Sequence, residues 1–172
     1  MATQDKIIND TSAVILALLH QEPMIGSHLI ELAEKWINPY FSTTRSAFYR
    51  DLISMQGAGL VRESGKGPRS STEYRITPAG KRAYQKWAHQ PVELDSIRNS
   101  IALRVAFADL MDSKRLKSLI EDMKRQHNAA KIRAQGLLDE ARHNDLGGDE
   151  QAMRFVISYH EMTMQWLDNI KV

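Results

Sequence analysis

A chain of 172 residues, 42% hydrophobic and 26% charged with a formal net charge of +2, is long enough to bury one core or two small ones and too apolar to remain unfolded. It has no cysteine, which excludes disulfides, thiolate metal sites and cysteine nucleophiles and fits a reducing compartment. Its longest apolar run, residues 13–19, is too short for a bilayer and has no basic, cleavable leader character, so the expectation is a cytoplasmic protein with no membrane partner.

Charge is unevenly placed. Between positions 35 and 86 there are ten basic residues against three acidic ones, a surplus of seven, whereas from Pro91 onward twelve basic residues face thirteen acidic ones. A local excess of this kind is the footprint expected of a nucleic-acid surface, and the balanced half reads as solvated helix faces.

In chain order, residues 11–20 are apolar nearly all round and read as a buried helix, with Asp10 or Thr11 as its cap, ending before Pro23. Gly26 and Ser27 open a second helix with Leu29, Ile30, Leu32, Ala33, Trp36 and Ile37 at helical spacing, stopped by Asn38-Pro39. The third helix is expected over residues 43–56, with Ser42 as N-cap and Gly57 and Gly59 as its stop. Phe48, Leu52 and Met55 form its core stripe. The other face carries Thr43, Thr44, Arg45, Ser46, Tyr49 and Arg50, groups suited to phosphates and base edges. Alone, the same pattern describes an ordinary amphipathic surface helix.

Residues 60–64 and 72–77 have strand-like content around the turn-rich GKGPRSS, a hairpin with a basic tip at Lys66 and Arg69 and a further cation, Arg75, on its second strand. Thr77-Pro78 then caps and opens a helix that runs through Trp87 and ends near Pro91. Three helices followed by a hairpin with a basic tip is the order of a winged helix-turn-helix, in which the third helix enters the major groove and the wing crosses the neighbouring backbone or minor groove. The expected fold is therefore mainly α with a small β-hairpin wing: a winged helix-turn-helix domain at 1–90 and a helical dimerisation and effector domain at 91–172.

Beyond residue 91, three helices are expected. The first covers 94–111, buried through Leu94, Ile97, Ile101, Val105 and Ala108 and broadened by Leu103, Phe107 and Leu110. The second covers 113 to about 142, with Leu116, Leu119, Met123, Ala130, Ala134, Leu137 and Ala141 in a stripe whose gap is filled by His127. After a break at HNDLGG, where Gly147-Gly148 reads as a helix breaker, Phe155, Tyr159, Met162 and Trp166 define the face of the last helix, with Val156, Leu167 and Ile170 beside them. A helical hairpin of this size presents more apolar face than a small domain covers, so self-association as a homodimer is expected. The aromatic stripe reads either as plain core or, through Tyr159, Met162 and Trp166, as the lining of a pocket for a small aromatic effector.

No catalytic constellation stands out. The six histidines are scattered without ligand spacing, there is no phosphate-binding glycine loop, and Asp139, Glu140, Asp149 and Glu150 flank a polar turn as surface charges do. No enzyme activity, metal or cofactor is expected.

Three segments, AVILALLHQEPMIGSHLIELAEKW, AFYRDLISMQGAGLV and EYRITPAGKR, resemble the PadR family of transcriptional regulators. Phe48, Tyr49, Leu52, Met55, Gly59, Leu60 and Val61 occupy the family's recognition-helix pattern, and Tyr74, Ile76, Thr77 and Gly80 its wing strand and Thr-x-x-Gly turn. The chain departs from that pattern at Ser46 and Arg50, where many members carry glycine and proline. The resemblance implies a homodimeric repressor that binds double-stranded DNA at an inverted-repeat operator, its winged domains about one DNA turn, roughly 34 Å, apart, and that answers to small aromatic ligands. The reading from another class is a winged-helix protein-interaction module with a helical dimerisation hairpin.

Overall fold

In the computed structural model, residues 8–94 and 98–171 are described, the side chain of Arg69 excepted. They divide into two compact units between Glu93 and Leu94. Among the described residues no helix is long and apolar enough to cross a membrane.

The N-terminal unit starts with α1 (Asp10–Gln21), capped by Asn9, whose side chain accepts from the Ser12 N–H, rather than by Asp10 or Thr11. Ile15, Leu16 and Leu19 of α1 are sealed in the core with Leu29, Phe48, Leu52 and Val61. β1 (Met24–Ile25) is a two-residue strand that the sequence pattern does not announce. It leads into α2 (Gly26–Leu32), which continues as a π-helical turn, Ala33–Ile37. α3 (Arg45–Gly57) buries Phe48, Leu52 and Met55 as expected. Its cap is Thr44 rather than Ser42, because the Thr44 side chain accepts from the Ala47 N–H at 3.2 Å. At its end Gly59 takes a left-handed φ of 71° and the Leu60 N–H returns to the Met55 carbonyl at 2.9 Å, a turn that satisfies carbonyls the helix leaves open.

β2 (Val61–Lys66) and β3 (Thr72–Ile76) flank a 3₁₀ turn at Pro68–Ser70, and with β1 they form an antiparallel sheet in the order β1-β3-β2. α4 (Pro78–Ala88) is capped by Thr77, whose hydroxyl also donates to the Gly59 carbonyl at 2.7 Å, tying the end of α3 to the start of α4. Trp87 Nε1 donates to Asp10 Oδ1 at 2.9 Å and pins the far end of α4 to α1. The third helix and the wing thus stand on one core.

The C-terminal unit departs more from expectation. α5 is shorter than residues 94–111: it spans Ser100–Ala106, with the Asn99 side chain accepting from Ile101 and Ala102 N–H groups, and a 3₁₀ turn follows at Ala108–Leu110. Leu94 is fully exposed, as largely are Leu103, Phe107 and Leu110, so only Ile101 of that stripe is deeply buried. Ile97 lies outside the described residues. α6 (Ser113–His143) and α7 (Gly147–Asp168) form the long hairpin. Gly147 and Gly148 sit in the first turn of α7, and the break falls before them. Met153, Val156, Thr163 and Leu167 make the inward face of α7, whereas Phe155, Tyr159, Met162 and Trp166 look outward with 64%, 43%, 61% and 37% exposure. The aromatic stripe is therefore not core in the single chain. Two helical stripes compete on α7, and the one with the smaller side chains is buried.

Candidate nucleic-acid interface

The outer face of α3 follows from what its inner face must bury. With Phe48 and Leu52 held in the core, residues 46, 49, 50 and 53 turn outward by helical periodicity. Ser46, Tyr49, Arg50 and Ile53 are exposed, Ile53 by 64%. Ile53 was not singled out from the sequence, since a lone apolar residue reads as core until burial is known. Arg50 stays close to its neighbour only loosely, Nε lying 3.8 Å from Asp51 Oδ1.

Thr43 and Thr44 precede the helix rather than lying on its face. The Thr43 N–H donates to Asn38 Oδ1 at 3.2 Å, closing the loop after the π-helical turn, and the Thr44 hydroxyl oxygen is engaged in the cap. Arg45, the first helical residue, is gripped by Glu34. Its Nε and one terminal nitrogen donate to the two carboxylate oxygens, each at 2.7 Å. That fork holds the Glu34 carboxyl below its ordinary value and the Arg45 guanidinium above its own, in each case mainly through the hydrogen bond.

Tyr49 has a second duty. A Cβ placed on Gly26 would come within 3.3 Å of Tyr49 Cε1, 3.7 Å of Leu52 Cδ2 and 3.8 Å of Tyr74 Cε2, so the bare glycine lets the start of α2 approach α3 and β3 closely. Tyr49 therefore shows one side to solvent and packs with the other. Tyr74 is half-buried beside it, and burial first, then the nearby Glu63 and Tyr49, raises its phenol above the ordinary value.

The wing is built on an irregular register. Val61 pairs with Ile76, Arg62 with Arg75 and Glu63 with Tyr74; a bulge follows, after which Gly65 pairs with Glu73 and Lys66 with Thr72. Opposed residues in an antiparallel pair project to the same face. Val61, Tyr74 and Ile76 pack on the core, so Arg62 and Arg75 share the outer face. Among the described residues neither is ion-paired, and both are exposed. The extra residue, Ser64, donates from its hydroxyl to Glu73 Oε2 at 2.6 Å, and it shifts the alternation so that Lys66 projects to the face opposite the two arginines. The structure thus groups Arg75 with Arg62, which pattern reading passed over, and separates both from Lys66. Arg69 belongs to the 3₁₀ turn at the tip, and its side chain lies outside the described residues. Tyr159, Met162 and Trp166 belong to the other unit, on the outward face of α7.

Residues 97–171 match the family described as Virulence activator alpha C-term. No curated protein matches the chain by sequence. Among solved structures, the PadR-like transcriptional regulator BC1756 from Bacillus cereus is similar with a TM-score of 0.83 at 19% identity, over 92% of this chain and 94% of that one. Bacillus subtilis PadR in complex with operator DNA has a TM-score of 0.79 at 18% identity, over 95% and 97% of the two chains, and the same protein in complex with p-coumaric acid 0.63 at 18%, over 92% and 98%. The Vibrio cholerae virulence activator AphA has 0.78 at 18%, over 92% and 94%. The chain therefore has the fold of the PadR-like regulators, and its residues 97–171 are similar to the Virulence activator alpha C-term family.

Proposed function

We propose that this chain is a sequence-specific transcriptional regulator that binds double-stranded DNA as a homodimer on an inverted repeat and acts as a repressor released by a small aromatic effector. The observation that carries the DNA-binding reading is the wing: Arg62 and Arg75 stand opposite each other with no carboxylate partner among the described residues, an arrangement that costs stability unless an anion lies between or across them. A phosphodiester backbone is such an anion. Arg45, Ser46, Tyr49, Arg50 and Ile53 supply the recognition face, the polar groups for phosphates and base edges and the isoleucine for a thymine methyl. Lys66, on the other side of the wing, and Arg69 at its tip add backbone contacts, and Thr43 and Thr44 help at the start of α3.

The homodimer is supported by the exposed apolar side chains of the C-terminal unit, Phe155, Tyr159, Met162 and Trp166 on α7 with Leu103, Phe107 and Leu110 before it, a set that water solvates poorly and a second copy would cover. Release by an aromatic acid is supported by the likeness to Bacillus subtilis PadR, which has been solved with p-coumaric acid, and the exposure of Tyr159, Met162 and Trp166 supports assigning them to such a ligand.

The test is a salt-titrated mobility shift with fragments of the host genome, followed by footprinting of retained fragments and a promoter reporter with and without p-coumarate. Retardation at a symmetric site, with affinity falling steeply as salt rises, supports the reading. No retardation even at low salt would favour the protein-interaction module instead. A reporter that stays silent with effector, or that needs the protein for expression, would overturn the release step or the repressor step respectively.

A further inference from the structure

The core of the C-terminal unit is interrupted in the middle. Ile101, Leu116, Ile120 and Leu167 form one apolar cluster, and Ala134, Leu138, Met153 and Val156 form another. Between them along both helices lie His127 of α6 and His160 of α7, with Nδ1 atoms 2.8 Å apart and ring centroids 5.0 Å apart at 66°. His127 is buried, and the Tyr159 ring lies 6.0 Å from it and 5.3 Å from His160. Two leucines would fill this layer without desolvating any polar atom. Two ring nitrogens face each other at this separation only when something electrophilic lies between them, either a single shared proton or a metal ion.

We propose that His127 and His160 are the protein ligands of a borderline divalent cation, Zn²⁺ foremost and Cu²⁺ or Ni²⁺ by the same chemistry, held between α6 and α7 by the two Nδ1 atoms and completed by water. Imidazole is a preferred donor for these ions. At metal–nitrogen distances of about 2.0–2.1 Å and a tetrahedral angle, the nitrogens stand about 3.3 Å apart, so the two rings need part only by roughly half an ångström. Desolvation pushes both imidazoles below the ordinary histidine value, and for His160 the neighbouring His127 and Arg133 push the same way, which keeps the rings in the neutral, ligating form.

Access and selectivity follow from the surroundings. An open cavity of ≈ 380 Å³ is lined by both histidines with Met123, Gln126, Ala130 and Arg133, room for the waters that complete the shell. Among the described residues no carboxylate lines it, which disfavours Ca²⁺ and Mg²⁺, and the chain has no thiol for softer ions. Among the described residues no third His, Cys, Asp or Glu joins the pair, so the site is of moderate strength and open to an exogenous ligand. The Arg133 guanidinium opposes the incoming charge.

The test is isothermal titration of the full chain with ZnCl₂ in chelator-free buffer, with MgCl₂ as the hard-cation control, and circular dichroism to establish that each variant is folded. The expected result is saturable uptake of one Zn²⁺ per chain, weakened roughly tenfold or more in His160→Asn and in His127→Asn, unchanged in His143→Asn, and tightened roughly threefold in Arg133→Gln by removal of one like charge. Cu²⁺ bound to the wild type should show nitrogen hyperfine splitting that His160→Asn loses. If His127→Asn does not fold, His160→Asn and Arg133→Gln decide the matter. No saturable Zn²⁺ uptake, equal uptake of Mg²⁺, or Zn²⁺ affinity unaffected by His160→Asn would overturn the proposal and leave a pair that shares a proton.

Discussion

Glu34 at the π-helical end of α2 and Arg45 at the first turn of α3 are joined by two parallel hydrogen bonds of 2.7 Å, so the first cation of α3 is held in a fixed direction. Preorganisation of this kind sharpens choice more than it adds affinity. Glu34→Gln is expected to raise affinity for random DNA and to lower the ratio of operator to random binding, while leaving the thermal midpoint nearly unchanged, because the pair is exposed. Arg45→Ala should lower operator affinity and relax base preference. Competition binding on operator and scrambled duplexes separates the two outcomes.

The same pair sets a pH dependence. Since the Glu34 value is lowered in the folded chain, its contribution is complete above the ordinary carboxylate value and is lost as pH falls through the lowered one. The grip is therefore constant down to the ordinary carboxylate value and weakens as pH falls below it. Carbon-detected NMR titration should find the Glu34 midpoint lower in the wild type than in Arg45→Ala.

Arg62 and Arg75 call for effects of opposite sign. Replacing either with alanine relieves a like-charge pair across the hairpin, so stability in urea should be unchanged or slightly higher. DNA affinity should fall for all sequences alike, and the slope of log affinity against log salt should become shallower by about one unit per arginine removed. Arg69→Ala should do the same to binding. An arginine variant that loses stability and keeps its DNA affinity would remove the wing from the interface.

Phe48 and Leu52 lie on the inner side of α3, each 1% exposed. Phe48→Ala should cost about 3–5 kcal/mol and Leu52→Ala about 2–5 kcal/mol, measured by equilibrium unfolding. Operator preference per folded molecule should survive both. Tyr49→Ala should cost both stability and recognition, because its ring packs over Gly26 on one side and meets solvent on the other.

On α7, Phe155→Asp and Met162→Glu should yield monomers by sedimentation while retaining helix content. Met153→Ala, with Met153 fully buried, should instead lower stability by about 2–5 kcal/mol. A dimer that persists through both charge substitutions would place the self-association surface elsewhere.

The N-terminal unit was legible because its local signals agree. The stripe of Phe48, Leu52 and Met55, the Thr77-Pro78 helix start and the turn-rich hairpin each point to the same element order, and burial follows them. What escaped was decided by competition between near-equal local choices. Ser42 and Thr44 both qualify as caps, and the one whose oxygen reaches an N–H three residues on takes the role. A strand as short as β1 has no period to read and exists through its pairing with β3. On α7 the bulky aromatic stripe outweighs Met153, Val156, Thr163 and Leu167 by eye, yet the packing surface of α6 selects the slimmer set. The alignment of Arg62 with Arg75 and the meeting of His127 with His160 are relations between distant positions, and no spacing in the chain encodes them.

The single surplus residue in β2 acts as a phase shifter. Upstream of Ser64 the hairpin's charge is written on one side of the ribbon and downstream on the other, so the blade carries cations on both flanks with no change in their number. Were Ser64 instead to pair with Glu73, the alternation would run unbroken and Lys66 would fall on the arginine side, leaving the second flank bare while net charge, composition and every basic residue stayed the same. Two homologous wings with identical charge counts can therefore embrace a phosphate strand or merely lean on it, and the difference is one step of register.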